Sequence, residues 1–315
     1  MSTATASNAF PLIDARTQNC ITDAQAQFFL DNGLLVIRNL LAGDELKALQ
    51  DETAALVASA NAMVGQADKA ADYAFKKHEI SGKEVPFRVE YVIDKTRAGK
   101  VLAGHPFILR SVEKLQGRNF IPTWDAMVFK NAGGGAAIPW HRDAGTGNGA
   151  ELAPIFNVDF YLDEADTSNC LWGILGSHKW SDPDAVAKIR KLTNAPGDFS
   201  TDPDCVPILM KPGDVIIHNI LALHGSPAAS SHLRRVIYYE YRPIETELEH
   251  GPHTPAYVPV KQKLLQAVLR DRASSPHAKL ETPFAYTPDA RHAPPEFHPE
   301  ERLPTYRYPH DKYWR

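Results

Sequence analysis

Two hydrophobic rhythms divide the chain. Up to residue 117 the longer apolar patterns recur at helical spacing around a short strand and an irregular stretch, and from 118 to 243 they come in short β-prone runs broken by turn residues. Thr22-Asp23-Ala24-Gln25 reads as a capping box, with Thr22 capping a helix and Gln25 reaching back. That helix carries Phe28 and Phe29 and stops at Asn32-Gly33. Leu34-Leu35-Val36-Ile37 follows as a short buried strand, and a second helix sets Leu46, Leu49, Leu56 and Val57 on one face. Residues 64–100 are charged and irregular, with a strand expected over 88–93, and a helix is expected over 104–116.

Beyond residue 118 the runs are 123–130, 154–162, 170–175, 206–210, 214–220 and 234–241, separated by Gly, Pro, Asp and Asn. Many short strands with turn residues between them indicate a β-sandwich or barrel. No fixed internal repeat is visible. After Pro243 the chain is rich in Pro and His, with one helix expected over 257–272 and enough Tyr, Phe and Trp to pack on the core. The expected organisation is a loose segment 1–20 and one domain 21–243, followed by an extension 244–315 packed on it. Within the domain, helical support (21–117) precedes the β core (118–243).

Composition narrows the function. Across 315 residues, 43% are hydrophobic and 23% charged, an ordinary globular profile that can bury its own core. Lys plus Arg number 34 against 38 Asp plus Glu, a net charge of −4. That balance gives no electrostatic footprint for nucleic acid or an anionic membrane. Cys20, Cys170 and Cys205 are too few and scattered for a disulfide framework, and an odd number suits a reducing compartment. With neither a signal peptide nor a long apolar span legible, a cytoplasmic location is expected.

The chemistry gathers in three places. In Pro139-Trp140-His141-Arg142-Asp143, His and Asp stand two apart on an extended stretch, so imidazole and carboxylate point to one side and can share a metal. Pro212-Gly213-Asp214 then starts a strand that delivers a third ligand, His218 or His224. Two histidines and one carboxylate leave open positions on Fe(II), suited to a bidentate co-substrate and O₂. Finally, Arg234-Arg235 heads a strand that can set one guanidinium deep in the barrel, where it can clamp a carboxylate bidentately.

At these residues the chain resembles the phytanoyl-CoA dioxygenase family of iron(II)/2-oxoglutarate oxygenases. Trp140-His141-Arg142-Asp143 is similar to that family's metal motif, and the stretch from Asn169 to Lys179 (NCLWGILGSHK) to its Gly-Ser-His turn. His224-Gly225-Ser226 and the arginine strand ending Tyr241-Arg242-Pro243 follow in the family's order. The resemblance implies a double-stranded β-helix, a cupin-like jelly roll, with flanking N-terminal helices. It implies Fe(II) on His141, Asp143 and His224, with 2-oxoglutarate and O₂ as co-substrates. Ser226 and an arginine would hold the distal carboxylate of 2-oxoglutarate. Counting from His224 favours Arg235, and counting back from Tyr241-Arg242-Pro243 favours Arg234, which is preferred. The implied reaction hydroxylates a small amino-acid-like or natural-product substrate and releases succinate and CO₂. Desaturation, epoxidation or rearrangement are alternative outcomes on the same iron, and a catalytically silent jelly-roll binding protein is the alternative of another class. Related halogenases have Gly or Ala at the carboxylate position, so Asp143 points to oxygenation.

Departures and blander readings stand beside these. Trp124 occupies a region where the family often has a Gln reaching the co-substrate, and Leu175 and Asn169 depart from the turn's usual Pro and Gly. Trp140, Trp172 and Tyr161 either line a substrate pocket or fill the barrel. Arg88 and Arg142 are candidates to face a small polar or carboxylated substrate. His178 reads as structural, and His250, His253, His292, His298 and His310 as solvated. Gly133-Gly134-Gly135 lacks a P-loop lysine, and Ser177 lies in no hydrolase elbow.

Overall fold

The computed structural model describes residues 9–143, 154–194, 199, 202–228, 231–298 and 300. Helix α1 (Asp23–Asn32) starts at the capping box, with Thr22 accepting from the Gln25 backbone and Gln25 accepting from the Thr22 N–H. It ends at Gly33, whose φ of 75° is left-handed and whose N–H returns to Phe29 O. Strand β1 (Leu34–Ile37) and helix α2 (Gly43–Ala62) follow as the hydrophobic pattern predicts.

The irregular stretch is more ordered than its charge suggested. It holds an antiparallel hairpin, β2 (Tyr73–Lys77) with β3 (Glu84–Glu90), and two short helices, α3 (Val92–Lys95) and α4 (Arg97–Leu102). The strand expected to reach Ile93 stops at Glu90 because Tyr91 turns left-handed at φ 58°. Helix α5 (Pro106–Gln116) then leads into the long strand β4 (Phe120–Lys130).

The remaining strands are β5 (Ile138–His141), β6 (Phe156–Tyr161), β7 (Leu171–Gly173), β8 (Val206–Ile208), β9 (Val215–Asn219), β10 (His224–Ser226) and β11 (Arg234–Pro243). Helix α6 (Asp182–Asn194) lies between β7 and β8, and α7 (Ile244–His250) and α8 (Tyr257–Ala273) follow β11. All paired strands run antiparallel in two sheets: a seven-stranded one in the order β1-β9-β6-β11-β4-β3-β2, and a four-stranded one, β5-β10-β7-β8. This is the jelly roll that the family resemblance implied, within the β-sandwich or barrel class indicated by the strand pattern.

Alternation assigns each face of the large sheet. On β6, Phe156, Val158 and Phe160 turn outward into the main core with Phe29, Leu49, Ile108 and Leu265. Asn157, Asp159 and Tyr161 turn inward toward the small sheet and line the cavity between the sheets. The turn before β9 is fixed by Gly213 (φ 91°), where an added Cβ would lie 2.0 Å from Leu41 O. Beside it, Asp214 accepts from Arg38 and from the N–H groups of Asn39 and Lys211.

The termini hold to this body. Ile13 is fully buried and Ala15 N–H bonds Arg38 O, so this part of the segment read as loose is anchored. Leu265, Val268 and Phe284 of the extension enter the main core, while residues beyond 300 lie outside the described ones. Among the described residues no helix is long and apolar enough to cross a membrane.

Candidate metal centre

His141 ends β5 and His224 begins β10, and the two are paired in register in the small sheet. Asp143 lies just past β5, where its N–H bonds Ile220 O at 2.8 Å. One ligand atom from each of His141, Asp143 and His224 falls within 4.8 Å of the others. Nδ1 of His141 bonds Pro139 O at 2.8 Å and Nδ1 of His224 bonds Ala222 O at 2.9 Å. Those bonds place the proton on Nδ1 and leave each Nε2 lone pair facing the centre. Asp143 Oδ2 accepts from Asn157 Nδ2 and bonds His218 Nε2, each at 2.9 Å. Its Oδ1 is left 3.2 Å from His141 Nε2 and 3.6 Å from His224 Nε2. Two neutral-imidazole nitrogens and one carboxylate oxygen are a donor set that fits Fe(II).

The Gly-Ser-His turn holds this arrangement. Ser177 Oγ accepts from Leu223 N–H at 2.8 Å and donates to Ile174 O at 2.6 Å, fixing the residue before His224. His178 bonds Leu30 O and lies under Gly33, where an added Cβ would stand 2.5 Å from its Nδ1. It is structural, as expected.

Electrostatics separate the three histidines: burial opposes protonation of His141, but the Asp143 carboxylate beside it raises its pKa. Burial works against protonation of His218, but the Asp159 and Asp143 carboxylates outweigh it and push its pKa up to about 10. Burial and neighbouring His141 press His224 down to about 3. Burial opposes ionisation of Asp143, yet the surrounding imidazoles hold it well below the usual carboxylate range.

His218 is therefore beside the centre but differently connected. Its Nδ1 is 2.8 Å from Asp159 Oδ2 while its Nε2 meets Asp143. The single strand expected to deliver either His218 or His224 is in fact two. A turn at 220–223 separates them, and they lie in different sheets.

A cavity of about 380 Å³ opens over the centre. Arg234 lines it, 2% exposed, with Nη1 donating to Asn169 O and to Ser226 Oγ, and with a buried Nε that has no hydrogen-bond partner. Ser226 Oγ donates to the same carbonyl. Arg235 points through the other face, where it grips Asp163 with Nε and Nη2 and donates to Gln50 O. It reaches no part of the cavity.

Tyr161 and Arg88 also line the cavity, whereas Trp140, Trp172 and Arg142 do not. Trp140 stacks on Phe199 at 5.3 Å, and Trp172 packs against the same ring. Arg142 sits between two inward residues and so faces outward, donating to Ser177 O and Trp180 O and pairing with Asp182. Trp124 faces the cavity as well, bonded to Glu90.

The motif reading missed Asn157, Asp159, Tyr238 and Glu240, all on the cavity wall. The signal was available in the polar alternates of 156–161 and 234–241. Among the tail histidines, His253 is buried against Glu247 and stacked on Tyr257, contrary to the expectation of solvation. His292 pairs with Glu245, while His250 and His298 are exposed and His310 lies outside the described residues.

Residues 29–236 match the family model described as Phytanoyl-CoA dioxygenase (PhyH). The chain belongs to the phytanoyl-CoA dioxygenase family of iron(II)/2-oxoglutarate-dependent oxygenases. Solved structures similar to this family member include EvdMO1, at 27% identity and TM-score 0.56, over 70% of this chain and 49% of that one. The chain thus spans about half the length of EvdMO1. AviO1 from Streptomyces viridochromogenes Tue57 is 26% identical with TM-score 0.52, over 74% of this chain and 97% of the other. EctD from S. alaskensis, solved with 2-oxoglutarate and 5-hydroxyectoine, shares the fold at 19% identity and TM-score 0.55, over 71% of this chain and 77% of that one. No curated protein sequence is close enough to count as a match.

Proposed function

We propose that this dioxygenase hydroxylates a small organic substrate in the cavity between its sheets, in the cytoplasm. His141, Asp143 and His224 hold Fe(II), and Arg234, with Ser226 beside it, holds the distal carboxylate of 2-oxoglutarate. One observation carries the reading: three ligand atoms within 4.8 Å share a cavity with a buried arginine whose Nε has no hydrogen-bond partner. A buried cation with an unmet donor fits a carboxylate partner. EctD with 2-oxoglutarate, and HygX with nickel and 2-oxoglutarate, bind these groups on the same fold.

Bound iron and 2-oxoglutarate supply the oxidising chemistry, in which substrate, O₂ and 2-oxoglutarate yield hydroxylated substrate, succinate and CO₂. The chain's residues orient the reactants and exclude water. Nδ1 bonds fix both imidazoles, Asn157 and His218 hold Asp143 Oδ2, and Trp124, Tyr238 and Val236 wall the cavity. Asp143 would give the metal a carboxylate ligand beside the two histidines, a donor set suited to oxygenation, so the expected product is hydroxylated and not chlorinated. Residues 21–243 form the catalytic unit, and 244–300 brace it.

The test is a substrate screen read by mass in aerobic reactions with Fe(II) and 2-oxoglutarate. Succinate release should be coupled to a product heavier by one oxygen atom. A product lacking two hydrogens, or carrying chlorine when chloride is abundant, contradicts hydroxylation.

A further inference from the structure

We infer that Asn157 and Asp159 form a subsite for hydrogen-bond donors, and that the substrate presents hydroxyl or amino groups to it; this rests on the proposed hydroxylation at the adjoining centre. The two residues stand two apart on β6, so both face the cavity. Asp159 has a side chain 9% exposed, its Oδ2 meets His218 Nδ1, and its Oδ1 is buried with no hydrogen-bond partner. Asn157 gives its amide N–H to Asp143, so its oxygen is the free end, and that oxygen too is buried and without a partner.

Neighbouring groups do not fill these vacancies. Directly across the sheet, Glu240 stands beside Asn157 and Tyr238 beside Asp159. The Glu240 carboxylate already accepts from Thr123 Oγ1 and Arg242 Nε. Arg88, the candidate to face a small polar or carboxylated substrate, lines the cavity with its guanidinium paired to Glu90 at 2.5 Å. The wall at β6 therefore offers unmet acceptors, while Arg234, the arginine proposed to hold 2-oxoglutarate, keeps a buried Nε without a hydrogen-bond partner.

A buried acceptor without a donor is a penalty that a bound N–H or O–H removes and that an apolar or carboxylated group leaves or worsens. Sites built this way reject analogues lacking the donor far more strongly than hydrophobic pockets reject a missing methylene. The cavity is thus polarised, with the acid co-substrate at Arg234 and the donor-bearing end of the substrate at Asp159.

Three probes of one ring size test this on iron(II)- and 2-oxoglutarate-loaded protein without oxygen: cyclohexane-1,2-diol, cyclohexylamine and cyclohexanecarboxylate, with binding read by ligand-observed NMR. At least one donor probe should bind about tenfold more tightly than the carboxylate, and Asp159→Ala should erase that preference. The isosteric Asp159→Asn keeps the fold and separates the two sources. Loss of cyclohexylamine binding there assigns an ammonium, and retained diol binding assigns hydroxyls. Equal or tighter binding of the carboxylate, or a preference that survives Asp159→Ala, overturns the proposal. A separate titration of the wild-type protein with 2-oxoglutarate tests the co-substrate reading, which can fail while the donor preference stands.

Discussion

The two faces of the large sheet use the same strands for opposite purposes. On β6 and β11 the outward residues Phe156, Val158, Phe160, Ile237, Tyr239 and Tyr241 are buried in the main core under the helices. Of the inward ones, which surround the cavity, Asn157, Asp159, Arg234, Tyr238 and Glu240 are polar and Val236 is apolar. A period of two writes stability and chemistry on alternate residues of one segment. Arg234 and Arg235 show it most sharply. Adjacent in sequence, one faces the cavity beside Ser226, and the other ties the sheet to α2 and Asp163.

Breaking the inward face at its centre should have the largest effect. His141→Ala or His224→Ala is expected to abolish 2-oxoglutarate-dependent succinate release, measured with Fe(II) in excess. Next, Arg234→Ala should raise the 2-oxoglutarate requirement by about a hundredfold, on the order of 3 kcal/mol for a buried charged partner. Arg235→Ala sharpens the contrast. It should lower stability by about 2 kcal/mol in thermal melts, through loss of charged hydrogen bonds, and leave the 2-oxoglutarate requirement within about twofold. The smallest effect is expected from His218→Ala, which should keep iron but weaken its binding about tenfold, because Asp143 loses one of its two anchors.

Much of this was legible in the sequence because short-range rules governed it. The capping box at Thr22, the stop at Gly33 and the His141/Asp143 spacing each depend on residues a few positions apart. The choice between Arg234 and Arg235 was not legible, since counting from either flanking motif gave a different answer. Pairing with β4 and β6 sets which one turns inward, and no local pattern encodes that register. The expectation of one strand carrying both His218 and His224 failed because Asn219 accepts from Leu221 and Ala222 in a turn. The hairpin of β2 and β3 was obscured by Lys76 and Lys77 on the edge strand β2 and by Glu84 at the end of β3 that pairs with β2 alone, positions where charge is normal. Arg142 was misplaced for a simpler reason, since two inward neighbours require it to face outward.

The central claim is that His141, Asp143 and His224 hold the metal while His218 only supports Asp143. Anaerobic Fe(II) titration of the wild-type, His224→Ala and His218→Ala proteins, side by side, tests it most directly. The account predicts one bound iron per chain in the wild type and in His218→Ala, and none in His224→Ala. Iron retained by His224→Ala but lost from His218→Ala would contradict it and move the third ligand to β9.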